Sequence, residues 1–373
     1  MIVIKEATTK KELKQFVTFP FQLYKNSPYW VPPIISEELK GFDKNKNPTF
    51  LTAGVNFFIA FKNNKIVGRI AVIINWQEVK NQGINKVRFG WFDFIDDKNV
   101  SKALLDKVFE IGKAHQLEFA EGPMGFSNLD KVGVLIDGFN HISSMITWYN
   151  HPYYQEHLEC LGFVTEKEYT ENEFSFSNVQ NSETFYKADS IVRQRYQLRA
   201  LNFTSTKDVL PYVDKMFDLF NASYASLSSF VAISEEQKNY FKKKYIPFIN
   251  PEYIKYIVDK DDNLVAFSIV MPSFSEALKK ANGKLFPFGF YHLLRAKKQS
   301  KEVLFYLIGI LPEYQSKGVT ATIFKEYFET FNKNGIKNCV RTPELVDNKA
   351  IQNLWKHFNP KIFARRRTYR RDL

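Results

Sequence analysis

The chain has 373 residues, a net charge of +12 and 45% apolar residues. That is more length than one ordinary core holds and enough apolar material for packed cores, so two domains are expected and a disordered chain is excluded. No apolar run reaches transmembrane length, and the start MIVIKEATTKK lacks the apolar stretch of a secretion signal. Cys160 and Cys339 are too few for a disulfide framework, so a reducing cytoplasm is the expected compartment. The six histidines show no metal spacing with cysteine or carboxylate, which sets metal chemistry aside.

Ile2 to Glu6 alternates as a short strand. Thr8, with Glu12 after it, starts an amphipathic helix that YWVPP (Tyr29 to Pro33) breaks. Phe57 to Phe61 and Lys65 to Asn75 read as two strands around Asn63-Asn64, and Val87 to Phe94 as another. Asn99 to Gln116 carries Ala103, Leu104, Val108 and Ile111 at helical spacing. Glu118 to Glu121 is a strand before a Gly-rich loop. Tyr153 to Leu161 is a helix ending at Gly162, a natural C-cap position. Ser175 to Ser190 is polar and reads as a linker.

The second half repeats this order. Tyr196 to Phe203 is strand-like, and Thr206 to Ser223 and Ser234 to Tyr245 are helix-like. Tyr253 to Val258 and Leu264 to Met271 are strands around Asp261-Asp262-Asn263. A strand over Val303 to Ile310, a helix over Thr322 to Asn332, a strand over Asn338 to Arg341, a helix over Lys349 to Phe358 and a strand over Lys361 to Tyr369 follow.

Between that apolar strand and its helix the chain reads LPEYQSKGVT, Leu311 to Thr320. A helix start after a glycine-containing loop presents free backbone N–H groups to a phosphate or pyrophosphate, and Lys317 adds a positive charge. With Pro312, Gln315 and Gly318 in register, the segment resembles motif A of the GNAT superfamily of acyl-CoA-dependent N-acyltransferases. Thr320 departs from that pattern, which has a smaller residue there. Asn348, Ile351, Leu354 and Trp355 match the spacing of the family's motif B, with Trp355 where a tyrosine acid is common. The indole N–H is not a usable acid. Asn348 reads equally as a helix N-cap and as a cofactor contact.

The resemblance implies an α+β fold of two GNAT-like lobes, each a mixed, mostly antiparallel sheet flanked by helices. The boundaries expected are 1–176 for a first lobe on the acceptor side, 177–194 for a linker and 195–373 for a lobe that binds acetyl-CoA or another acyl-CoA. The cofactor contacts it implies are Ile310, Gln315, Ser316, Lys317, Gly318, Val319, Thr320 and Asn348, with a strand-end N–H near Ile310 polarising the thioester carbonyl. An amine acceptor must lose a proton, so a carboxylate or a water chain is needed. Glu344, after the strand from Asn338, is the candidate base, and Tyr306 the candidate acid or oxyanion partner. Glu302 shares the face of Tyr306 on its strand.

In the first half the corresponding loop reads Ile95-Asp96-Asp97-Lys98-Asn99. Two carboxylates repel a pyrophosphate and no glycine lets the backbone approach it, so this lobe is not expected to bind CoA. Its segments Gly122 to Phe139 and Trp148 to Phe163 place Asn128, Asp130, Asn150, Tyr153 and Tyr154 where they could line a substrate pocket, or where glycines make turns and tyrosines pack. Asn128, Tyr153 and Tyr154 are the substrate-binding candidates. Cys160 reads as a small buried residue. The function expected is acyl transfer, of an acetyl group first, to a small-molecule or peptide amine. A non-catalytic acyl-CoA sensor is the alternative favoured by Trp355. A Fem-type aminoacyl-tRNA user is the one favoured by the tandem lobes and by the basic tail of Lys361, Arg365, Arg366, Arg367, Arg370 and Arg371. That tail also reads simply as a strand with solvated arginines.

Overall fold

The computed structural model describes residues 1–127, 129–176, 182–225 and 230–373. In chain order the first stretch holds β1 (Ile2–Glu6), α1 (Lys10–Leu23), α2 (Ile35–Gly41), β2 (Ala53–Lys62), β3 (Lys65–Asn75), α3 (Trp76–Gln82), β4 (Lys86–Phe94) and α4 (Lys98–Ala114). It continues with β5 (Phe119–Gly122), β6 (Val134–Asp137), α5 (Tyr153–Cys160) and β7 (Val164–Phe174). There follow α6 (Ser182–Tyr196), β8 (Arg199–Leu201), α7 (Thr206–Val209), α8 (Val213–Tyr224), α9 (Glu235–Tyr245), β9 (Ile254–Val258) and β10 (Leu264–Pro272). The chain ends with α10 (Ser275–Ala281), α11 (Gly289–Gln299), β11 (Glu302–Ile310), α12 (Val319–Asn334), β12 (Asn338–Leu345), α13 (Lys349–Trp355) and β13 (Lys361–Asp372).

Two units form, divided differently from the sequence expectation. The first holds Met1–Thr170, Ser275–His292 and Phe363–Leu373, the second Glu171–Phe274 and Leu293–Ile362. Long-range pairing explains the change. β13 runs antiparallel to β5, with Tyr369 opposite Gly122 and Asp372 opposite Phe119, so the tail satisfies its backbone in the first unit. The Ser275 hydroxyl donates to the Ser143 carbonyl at 3.0 Å and the Lys279 ammonium to the Pro28 carbonyl at 2.6 Å, which ties α10 to the same unit. The described part of the expected linker is the helix α6. Phe185, Val192 and Tyr196 lie on one side of it and join the second core, while Arg193 bonds both buried Asp189 and Glu326.

In the first unit β1, β2, β3 and β4 are antiparallel neighbours and β4 pairs in parallel with β5. β3 is apolar on both faces because both are covered. Ile70, Val72 and Ile74 meet Val100, Leu104 and Val108 of α4. Ala71 and Ile73 meet Phe16 and Val17 of α1. The cap of α1 is Thr9, one residue later than expected, in a reciprocal box with Glu12. Lys361 of the basic tail is exposed, but its arginines are engaged rather than solvated. Arg365 and Arg367 share Glu168 at 3.0 Å each, Arg366 donates to the Trp148 carbonyl, Arg371 donates to the Leu161 carbonyl, and Arg370 lies over the Phe119 ring.

The second unit orders β12, β11, β10, β9 and β8 as neighbours. Its core gathers Val303 and Phe305 of β11, Ile323, Phe324, Tyr327, Phe328 and Phe331 of α12, Trp355 at the end of α13, and Phe358 just after it. The register of β10 against β11 jumps from Ile269–Leu307 to Val270–Phe305. Tyr306 is therefore the extra residue of a β-bulge.

Four buried charges stand together in the first unit. The Lys86 ammonium lies 3.1 Å from Glu78 and 2.8 Å from Glu121, and Arg88 grips both oxygens of Glu78. Burial raises the Glu78 pKa, but Arg88 and Lys86 outweigh it and hold the carboxyl below its usual range. Such a group adds stability that is present above its unfolded pKa, about 4.3, and lost as pH falls through the folded value. Glu78→Gln should cost about 3–5 kcal/mol at neutral pH in urea unfolding. It should also flatten the loss of stability below about pH 4; acid curves of equal slope for the two proteins would show that this carboxylate is not what the fold protects.

Candidate functional site

The site of the second unit begins where two strands part. The parallel pairing of β11 with β12 runs from Glu302–Asn338 to Phe305–Arg341. Beyond it β11 continues along β10 as far as Ile310, opposite Ala266, and β12 continues to Leu345. Ile308, Gly309 and Ile310 then face a cavity of about 910 Å³. Its other walls are Ser223 and Tyr224 at the end of α8, Phe185 of α6, the loop before α12, and Asn348, Leu354 and His357 around α13. No aspartate, glutamate, lysine or arginine is among the described residues that line it.

Strand carbonyls released by this parting are met by side chains. The Tyr224 hydroxyl donates to the Ile308 carbonyl at 2.9 Å, and the Gln315 amide donates to the Ile310 carbonyl at 3.2 Å. Burial pushes the Tyr224 phenol up to about 12, with the bond to Ile308 working against it. At neutral pH it holds its proton.

The loop makes one 3-10 turn over Pro312–Tyr314. Ser316 and Gly318 then take left-handed φ values of 61° and 77°. A Cβ at Gly318 would lie 3.2 Å from a Val192 methyl, so position 318 is built for glycine on both counts. Gly318 is the N-cap of α12 and offers no side chain to it. The first N–H groups of a helix have no acceptor within it, and Gly318, Val319 and Thr320 are all on the cavity wall. This is a bare helix N-terminus with its partial positive charge turned to the cavity.

Of the expected cofactor contacts, Ile310, Gln315, Ser316, Gly318, Val319, Thr320 and Asn348 line this cavity. Lys317 is not among the lining; its ammonium stacks over the rings of Tyr196 and Tyr314 at 5.3 and 5.1 Å. The Asn348 carboxamide oxygen accepts from the Ile351 N–H at 3.3 Å, so Asn348 caps α13 and faces the cavity as well.

The expected catalytic pair is placed elsewhere. Glu344 forms an ion pair with buried Arg341 and accepts from the Trp355 indole at 3.1 Å. The Arg341 guanidinium lies over the same indole at 4.9 Å. That carboxylate is engaged in a side-chain cluster and does not line the cavity. Tyr306 sits in the bulge with its ring 6.2 Å from Tyr245, also off the cavity wall. The sequence reading missed Ser223, Tyr224, Phe185 and His357. A helical stripe was the available signal for Tyr224, which stacks on Phe220 one turn earlier at 4.4 Å.

The first unit is closed at the corresponding place. Asp97 caps α4 by accepting from the Asn99 N–H at 2.9 Å and binds Lys62 at 2.7 Å. Asp96 meets the His157 imidazole at 2.9 Å. Tyr153 donates to the Phe94 carbonyl, and buried Tyr154 bonds Tyr24 at 2.8 Å and accepts from the Phe94 N–H at 3.2 Å. Both tyrosines expected to bind substrate are thus packing residues of this unit. Asn128 lies outside the described residues. Cys160 is exposed rather than buried, 3.6 Å from the Lys98 ammonium.

The Glu344 geometry is testable by stability. Glu344→Ala strands a buried guanidinium and an indole N–H, and should cost about 3–5 kcal/mol in denaturant unfolding. A variant as stable as the parent would return Glu344 to the list of free carboxylates.

No family model matches the chain. Protein YghO of Escherichia coli (strain K12) is 25% identical over 380 residues, which span 100% of this chain and 95% of that protein. A bacterial ceramide synthase of Caulobacter vibrioides is 25% identical over 315 residues, 83% of this chain and 80% of that one. Among solved structures, a tandem GNAT protein from the clavulanic acid biosynthesis pathway superposes with a TM-score of 0.57 at 10% identity. The match covers 100% of this chain and 98% of that one. At that identity the likeness speaks of fold. By its fold this chain is a tandem GNAT-like α+β protein.

Proposed function

We propose that this protein is an acyl-CoA-dependent N-acyltransferase whose second unit binds the acyl-CoA. One observation carries the reading: the cavity where β11 and β12 part is joined to a helix start that presents N–H groups and no capping side chain. With no lysine or arginine among the described lining, a pyrophosphate there is held by backbone N–H groups and the helix dipole. The volume is that of a pocket for a large cofactor. Bound acyl-CoA supplies a thioester carbonyl. An amine attacks that carbon, the C–N bond forms, the C–S bond breaks, the amine gives up a proton and the thiolate takes one.

Tyr224 is our candidate for the proton that reaches the thiolate. It stands at the strand end beside Ile308 and keeps its proton at neutral pH. Positioning along the strand and the polarity of the helix start carry the rest. The relative named a bacterial ceramide synthase supports an amine on a long-chain amino alcohol as the acceptor class. The sensor reading keeps one observation in its favour, namely the lack of a carboxylate in the described lining. The tRNA reading keeps the tandem lobes but loses the free basic tail, because the tail arginines are engaged in the first unit.

Gly318→Asp adds a side chain at a left-handed φ and a negative charge at the helix start. It should weaken CoA binding at least tenfold, about 1.4 kcal/mol, in calorimetry on a folded protein; unchanged affinity removes the site. The same titration should give one CoA per chain, since α4 is capped by Asp97.

Free-thiol release from a series of acyl-CoAs should depend on an added amine, and be fastest with long-chain amino alcohols. Tyr224→Phe should lower kcat by about a hundredfold or more while CoA affinity holds. CoA binding without thiol release on any amine would put the sensor reading in its place.

A further inference from the structure

We infer that the segment from α10 through α11 is a docking surface for a lipid bilayer containing anionic headgroups. Phe286 is 77% exposed, Phe288 70%, Phe290 44%, Tyr291 54% and Leu294 56%. Five large apolar side chains stand in water within nine consecutive positions, and a continuous exposed apolar patch of that kind marks an interaction site.

The display is built into the fold rather than frayed from it. Leu293, on the flank of α11 beside Phe290, is buried. The turn before the helix is tight: the Phe290 N–H donates to the Leu285 carbonyl at 2.8 Å, and a Cβ at Gly289 would collide with the Lys284 carbonyl at 1.9 Å. Gly283 packs against Phe21 and Ile35, and the Ile35 N–H donates to the Gly283 carbonyl at 2.9 Å. Phe286 and Phe290 pack ring to ring at 5.7 Å. Phe290, Tyr291 and Leu294 share one helical face by their spacing.

The charge around the patch names the partner. Between Ser275 and Lys301 the chain carries seven basic residues and one acid, Glu276. Lys279 and Lys297 are spent on backbone carbonyls. Lys280, Lys284, Arg295 and Lys298 are exposed on either side of the aromatic group. Aromatic side chains with a rim of lysine and arginine and almost no acid fit the boundary between acyl chains and anionic headgroups. No described helix is long and apolar enough to cross a membrane, so the contact is peripheral.

The proposal does not rest on the acyltransferase reading, because CoA titration and lipid binding succeed or fail separately. The full chain would be floated with vesicles of phosphatidylcholine alone and of phosphatidylcholine with phosphatidylglycerol. We expect binding to the anionic vesicles, roughly tenfold weaker on neutral vesicles or at raised salt. The pair Phe286→Ser and Phe288→Ser should cut it by roughly tenfold with an unchanged melting temperature, since both side chains are exposed. Lys280→Gln, Lys284→Gln and Lys298→Gln together should remove the preference for anionic lipid. No flotation of the unmodified chain with either vesicle overturns the proposal, as does equal flotation of the double serine variant. A concentration-dependent dimer that the serine substitutions abolish, without lipid binding, would assign the patch to a second copy of the chain and also overturn it.

Discussion

The second unit depends on one event, the separation of β11 from β12 after Phe305 and Arg341. A strand that loses its neighbour in mid-course leaves carbonyls and N–H groups without partners, and buried backbone cannot stay that way. The chain answers with side chains from outside the sheet. Tyr224 takes the Ile308 carbonyl and Gln315 the Ile310 carbonyl. These are alternate residues, so their carbonyls leave the strand on the same side. The bulge at Tyr306 bends β11 just where the pairing ends. What results is a cavity edged by strand backbone and closed by a helix start, with no aspartate, glutamate, lysine or arginine among its described lining. Gln315, which sequence register offers as a cofactor contact, is occupied in holding that edge.

The two units show how little separates a ligand site from a packed end. Both place a helix after the fourth strand of their order, and both strands shift register against the strand before them, opposite Arg69 and Ala71 in the first unit and opposite Ile269 and Val270 in the second. In the first unit Asp97 fills the helix start with its own carboxylate. The space beside the strand is taken by Asp93, which bonds Arg69 at 2.7 Å and the Tyr24 hydroxyl at 2.6 Å, with Tyr154 against both tyrosine and carboxylate. A buried carboxylate of that kind is tolerable only with its partners present. Burial, then the charge of Asp93, drives the Tyr24 phenol well above its usual value. Glycine at 318 in place of a capping acid leaves the second helix start open to a ligand instead.

Local chemistry was legible in the sequence. The strand, glycine loop and helix from Val303 to Asn332, the turns at Asn63-Asn64 and Asp261-Asp262-Asn263, and the blocked loop at Asp96-Asp97 all follow from short-range rules, and each has its counterpart in the fold. Partners chosen at long range were not legible. Alternation in Lys361 to Tyr369 announces a strand but cannot say that it joins Gly122 rather than its sequence neighbours. Glu344 looked like a free carboxylate because Arg341 and Trp355, three residues before it and eleven after, meet it only once β12 and α13 are folded. The polar composition of 182–196 hid a helix whose apolar residues are few but aligned. Phe286, Phe288 and Phe290 alternate, but Pro287 and Gly289 between them argue against a strand, and their side chains point to water rather than to a core.

The lack of a carboxylate among the described lining of the cavity bears on which acceptors it would suit. A protonated amine entering it would leave water without meeting a carboxylate among the described lining, and burial without a partner disfavours the charged form. Desolvation therefore pushes an amine toward the neutral state that attacks a thioester, so the cavity can do part of the work otherwise assigned to a general base. An amine on a long apolar chain gains from the same surroundings, since Phe185, Ile308, Ile310, Val319 and Leu354 are all on the wall. A compact, multiply charged amine loses hydration and meets no carboxylate among the described lining. On the proposed reading, the described lining thus suits an apolar acceptor for the same reason that it offers no carboxylate base.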